Sequence, residues 1–148
     1  MPPRWAVRLA VTAFQTVRKA IWFVTRPETH GVSAIPLTPQ GRIVMVRLTY
    51  AKGWRLPGGG RKKSEDPEAA ILRELREEIG LTAHAQVRHL RVFHERPDHK
   101  HDTRHLYLVT GVTYEPRRSI EIDEVAEFAP EDVPEPARSW IPEEVLNS

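Results

Sequence analysis

The chain has 148 residues, no cysteine and a formal charge of +2, with 40% apolar and 28% charged residues. That length and balance fit one folded domain and argue against a disordered chain. The missing cysteines exclude disulfides, thiolate metal sites and cysteine nucleophiles, and the small net charge gives no reason to expect DNA binding.

The first predicted element is a helix over Trp5–Val24, in which Trp5, Leu9, Ala13, Val17, Ile21 and Val24 recur at helical steps. Residues 1–26 carry Arg4, Arg8, Arg18, Lys19 and Arg26 and no acid. The cations break the apolar run, so neither a signal segment nor stable membrane insertion is expected. The helix could lie on a membrane surface, cover its own domain or pack on a second subunit as a homodimer; the last two are favoured. Residues 1–26 thus form an accessory helix, and 27–148 the main domain.

Gly31–Leu37 and Arg42–Leu48 read as strands joined by the turn Thr38-Pro39-Gln40-Gly41, a predicted hairpin. The unbroken apolar run Ile43–Val46 suits a strand buried on both faces. Trp54-Arg55-Leu56 is a short extended piece leading to Pro57-Gly58-Gly59-Gly60. The next helix has both ends written in the sequence: Asp66 as N-cap, Pro67 at the first position and Gly80 as the stop. Ile71, Leu75 and Ile79 form its core face. Thr82–Phe93 and Arg104–Thr113 are further strands around the polar stretch His94–Thr103. Ile122–Phe128 is another strand, and a final helix starts near Pro142 after Pro130, Pro134 and Pro136.

Glu74, Glu77 and Glu78 fall on one face of the central helix, where like charges at this spacing repel. Arg73 offers partial relief to Glu77. A hard divalent cation such as Mg²⁺ would relieve the rest; taken alone, a solvated acidic face explains the triplet about as well. The surrounding residues change that balance. Residues Gly59 to Leu81 read GGRKKSEDPEAAILRELREEIGL and fill every fixed position of G-x5-E-x7-R-E-U-x-E-E-x-G-U, with U aliphatic. On this match the chain resembles the Nudix hydrolases, from the strand pair before the box to the strands after it. Arg61-Lys62-Lys63-Ser64 replaces the acid and glycine that many members carry in that loop.

The resemblance implies an α/β/α sandwich with a mixed central sheet, plus the extra N-terminal helix. It implies a Mg²⁺- or Mn²⁺-dependent enzyme that cleaves the pyrophosphate bond of a nucleoside diphosphate linked to another moiety. Glu74, Glu77 and Glu78 would be catalytic metal ligands, joined by the Gly58 carbonyl. Gly59, Glu65, Arg73 and Gly80 would be structural, with Glu65 and Arg73 bracing the loop. Glu74 is one candidate general base; Glu121 and Glu124 are others, against the plainer reading of a solvated acidic tail. Arg55, Lys62 and Arg104 are candidate substrate contacts.

His94, His99, His101 and His105, with Arg96 and Lys100, suit either a phosphate-facing loop or an exposed hairpin. Pro97 lies one position off the spacing that marks relatives cleaving ADP-ribose. Trp54 could stack on a base, though a packing role is favoured. The competing reading is a non-catalytic nucleotide sensor on the same fold, which the intact glutamates disfavour. A nucleotide-derived small molecule is the expected partner, and the cysteine-free sequence fits the cytoplasm.

Overall fold

A computed structural model of the protein describes residues 3–13, 28–49, 51–62, 64–95, 101–116 and 119–147. Helix α1 covers residues 4–13. The remainder of the helix expected to Val24, together with Arg96, Pro97, His99 and Lys100, lies outside the described residues.

Strands β1 (Glu28–Pro36), β4 (Gly58–Gly60), β6 (Gln86–Glu95) and β7 (His101–Thr110) form a mixed sheet in the order β4-β1-β7-β6. Within it β1 runs parallel to β7 and antiparallel to β4. Strands β2 (Ile43–Leu48), β3 (Trp54–Arg55) and β9 (Ile122–Phe128) form an antiparallel sheet in the order β3-β2-β9. Two short strands, β5 (Leu81–Ala83) and β8 (Thr113–Tyr114), pair as a ribbon.

The predicted hairpin of β1 and β2 is corrected here. The turn forms, with the Thr38 amide donating to the Arg42 carbonyl at 2.9 Å. After a single bridge between Leu37 and Ile43, however, the strands part into different sheets. Each finds both of its neighbours elsewhere: β1 takes β4 and β7, and β2 takes β3 and β9. Two other boundaries also move. The predicted strand Thr82–Phe93 is broken between Ala83 and Gln86, and the polar stretch His94–Thr103 is largely strand at its ends, paired through His94 and Thr103.

The sequence around α2 (Pro67–Glu78) determines its ends as predicted. The Asp66 side chain accepts from the Ala69 amide at 3.1 Å, and Gly80 adopts φ +74° just past the last turn. Ile71, Leu75 and Ile79 are fully buried against Val32, Ala34, Val44 and Val46. A second core fills the opposite side, where Ile35, Ile43, Met45, Leu106 and Leu108 meet Val133, Ala137, Ile141 and Val145. Those last four belong to the C-terminal segment, which has 3-10 turns at Pro130–Asp132 and Ala137–Trp140 and a one-turn helix α3 (Glu143–Leu146). The run Ile43–Val46 therefore feeds alternate side chains to two cores, which makes the α/β/α layering. Among the described residues, no helix is long and apolar enough to cross a membrane.

Candidate active site

Strand β4 lies beside β1 and under α2, and its glycines leave room for both. A Cβ at Gly58 would collide with the Val32 carbonyl of β1, and one at Gly59 would stand 2.6 Å from the Glu74 carboxyl. The bare Gly58 amide instead donates to Glu78 Oε1 at 2.6 Å. A flexible-looking glycine run thereby becomes a floor for two carboxylates.

Arg73 joins the loop to the helix. Its Nε and NH2 donate to the two Glu65 oxygens at 2.9 and 3.0 Å, a bidentate pair. NH2 also donates to the Gly60 carbonyl at 3.1 Å, while NH1 donates to Glu74 Oε1 at 3.1 Å and reaches Glu77 at 3.4 Å. Glu65 in turn accepts from the Lys62 amide at 2.9 Å. The hydrogen bonds from Arg73 and then Lys62 hold the Glu65 carboxyl down at about 2.

The helix carboxylates behave in the opposite way. Burial pushes Glu78 up to about 8, and the charges of Glu74, Glu121 and Glu77 push in the same direction. Burial raises Glu74 as well, opposed by Arg73. These groups share a cavity of about 480 Å³ lined by Glu74, Glu77, Glu78 and Glu121, by Ser119, Ile120 and Ile122, and by Ala10 and Val11 of α1. Four carboxylates crowd one concave site, with Arg73 bonded to Glu74 and Glu77 at its edge.

The remaining predicted residues divide. Glu121 lies in the cavity, and Glu124 does not; Glu124 pairs with Arg47 at 2.8 Å on β9. Lys62 is exposed, and its backbone serves the Glu65 turn. Arg55 is exposed on β3 opposite Val46 and does not line the cavity. Arg104 lies across Gly31, where a Cβ would meet its guanidinium at 2.9 Å, and donates to Ser33 Oγ at 3.0 Å. Trp54 packs edge-on against Phe128 at 5.2 Å beside the second core. His105 contacts His89 at 3.0 Å, and His94 contacts Thr103 at 3.5 Å.

Two features escaped the sequence reading. One is Asp123, whose side chain is only 4% exposed and is surrounded by Arg4, Arg8 and Arg47. In a tail full of acids nothing marks it out. The other is that Val11 lines the same cavity as the glutamates, a juxtaposition of residues far apart in sequence that no periodicity reveals.

Among the described residues, no three side chains are yet placed to grip one ion: Glu74 is turned to Arg73, and Glu78 to the Gly58 amide. The donor chemistry nevertheless fits a hard cation. Oxygen donors predominate, and a divalent ion would offset the cost of ionising Glu74 and Glu78, which burial raises first and neighbouring acids raise further.

Known proteins share this architecture. The family model described as NUDIX domain matches residues 27–147. An RNA pyrophosphohydrolase of Hahella chejuensis is 44% identical over 55 residues, covering 37% of this chain and 34% of that protein. The ADP-ribose pyrophosphatase of Bacillus subtilis is 31% identical over 102 residues, covering 66% of this chain and 55% of the relative. The chain thus spans about a third of the length of the RNA pyrophosphohydrolase it matches. The crystal structure of a MutT NUDIX hydrolase from Burkholderia pseudomallei superposes with a TM-score of 0.65 at 27% identity, covering 81% of this chain and 96% of that one.

Proposed function

Since the chain belongs to the NUDIX domain family, we propose that it hydrolyses the pyrophosphate bond of a nucleoside diphosphate linked to another moiety, using a divalent cation. The observation that carries this reading is the crowding of Glu74, Glu77, Glu78 and Glu121 around one cavity, with Glu74 and Glu78 raised by burial. Glu74, Glu77 and Glu78, with the Gly58 carbonyl, would hold Mg²⁺ or Mn²⁺. A bound divalent ion would neutralise phosphate charge and acidify an attacking water.

The protein's own groups do the rest. The Gly58 amide fixes the Glu78 carboxylate, and Arg73 fixes Glu74 against the glycine floor. Glu121, which lines the same cavity, would accept the proton of the attacking water at its carboxylate. Glu65 keeps Arg73 in place and acts through it. The relatives' names suggest RNA and ADP-ribose as substrate classes to try. The cysteine-free composition favours a reducing cytoplasm as the place of action.

The test is phosphate and nucleotide release from ADP-ribose, nucleoside triphosphates and 5′-triphosphorylated RNA, with Mg²⁺ or Mn²⁺. Removing an outer-shell partner costs roughly 10–100-fold, so loss of a direct ligand in Glu78→Gln should cost more. Turnover unchanged in that variant would remove the helix from the mechanism. Absence of turnover on the whole panel would favour the sensor reading.

A further inference from the structure

The cavity that holds the glutamates has a wall contributed by α1. Val11 is 4% exposed and, with Ala10, faces the same space as Glu74, Glu78 and Glu121. The opposite side of the described part of this helix is open: Trp5 and Leu9 are 67% and 63% exposed. One apolar residue is thus turned into an acidic site while two larger ones face outward. The helix is held in that orientation at its N-terminal end.

Its fastening is electrostatic. Arg4 and Arg8, one helical turn apart, both pair with Asp123, which directly follows the wall residues Glu121 and Ile122. A buried carboxylate needs partners. Asp123 retains one without α1, because Arg47 of β2 donates to Asp123 Oδ2 from Nε at 3.2 Å and pairs through NH2 at 3.1 Å. Arg47 therefore keeps Oδ2 paired when the helix leaves, while Oδ1 gives up Arg4. The described part of α1 carries two cations and no acid and lies against a wall of acids, which favours closure.

From this geometry we infer that α1 is a strap over the catalytic cavity, latched on Asp123 by Arg4 and Arg8, and that it excludes large substrates until it lifts. This rests on the pyrophosphohydrolase reading for what the cavity does, but not for whether the helix covers it.

Two variants of the full chain lift the strap through different contacts. Arg4→Glu/Arg8→Glu reverses the latch, and Val11→Asp puts an acid among the glutamates. Hydrogen exchange of the amides over residues 6–13 reports whether the helix has lifted. Labelling by a water-soluble carbodiimide, read by peptide mass spectrometry, reports access to the cavity independently of turnover. A minor open state is at most roughly 10% populated, so lifting should speed labelling of Glu74 and Glu121 by about tenfold or more in both variants, while Glu68, outside the cavity, labels as before.

In Arg4→Glu/Arg8→Glu, kcat/KM should rise by a similar factor for a 5′-triphosphorylated oligonucleotide and stay level for a nucleoside triphosphate. Faster amide exchange without faster carboxylate labelling overturns the strap. So does free exchange of α1 in the parent protein, or an equal change for large and small substrates. If labelling responds but neither protein turns over any substrate, the strap stands and the pyrophosphohydrolase reading fails.

Discussion

Glu78 sits at the crossing of two demands. Its carboxyl is hydrogen-bonded to the Gly58 amide, yet burial and three neighbouring acids raise it from 4.5 to about 8. A group raised in the folded state contributes stability that is fully present below its unfolded value, and that stability is lost as pH rises toward the folded value. Without metal, the protein should therefore lose stability between about pH 4.5 and 8, by up to a few kcal/mol from this group. Glutamine at this position can still accept from the Gly58 amide and carries no charge. Melting temperature measured in a chelator should fall across that window in the parent protein and fall much less in Glu78→Gln; equal slopes would mean that Glu78 is not the strained group. Glu65 has the opposite sign. Its value is held at about 2, so its contribution is present above 4.5 and is lost only as pH falls from there toward 2.

At the scale of elements, α2 shows what a sequence can specify and what it cannot. Asp66, Pro67 and Gly80 are chemical end-marks, each acting on its own backbone neighbourhood, so the helix could be bounded without knowing the fold. The strands lack such marks. Whether β1 pairs with β2 or with β7 depends on segments that arrive much later in the chain, and the sequence around Thr38–Gly41 is the same in either case. The box glutamates were legible for the same local reason as the helix; Asp123 and Val11 were not, because their partners lie across the fold. Two glycines of the box separate structure from chemistry. Gly80 has φ +74°, and a Cβ there would run into the Glu115 carbonyl, so Gly80→Ala should cost more than about 1 kcal/mol of folding stability. Gly59 lies in a strand, and its added Cβ meets the end of a side chain that can move, the Glu74 carboxyl at 2.6 Å. Gly59→Ala should leave the denaturation midpoint nearly unchanged while weakening hydrolysis and Mn²⁺ binding. A variant that unfolds as readily as Gly80→Ala would show the glycine floor to be structural alone.

At the scale of the whole molecule, the site is assembled from stretches that share no local structure: α1, the C-terminal half of α2 and the segment Ser119–Ile122, which runs into β9. The core beneath it joins two of these parts, since Ile122 belongs to the same buried cluster as Ile71 and Leu75. A ligand bound only by the assembled cavity must therefore stabilise the entire fold, by RT ln(1 + [L]/Kd), which is about 2.7 kcal/mol at a hundredfold excess over Kd. Without metal, the glutamates oppose that assembly, because Glu74 and Glu78 are both raised by burial and by each other's neighbours. The two effects predict opposite ranks for one pair of proteins. At neutral pH in a chelator, Glu78→Gln should melt above the parent protein, because it no longer carries a carboxyl that must take up a proton to be buried. As Mn²⁺ is added, the parent should rise with the logarithm of concentration while the variant barely moves, so the two curves cross. Parallel curves, displaced but never crossing, would separate the buried charge from the metal site and leave the carboxylates without the role proposed for them.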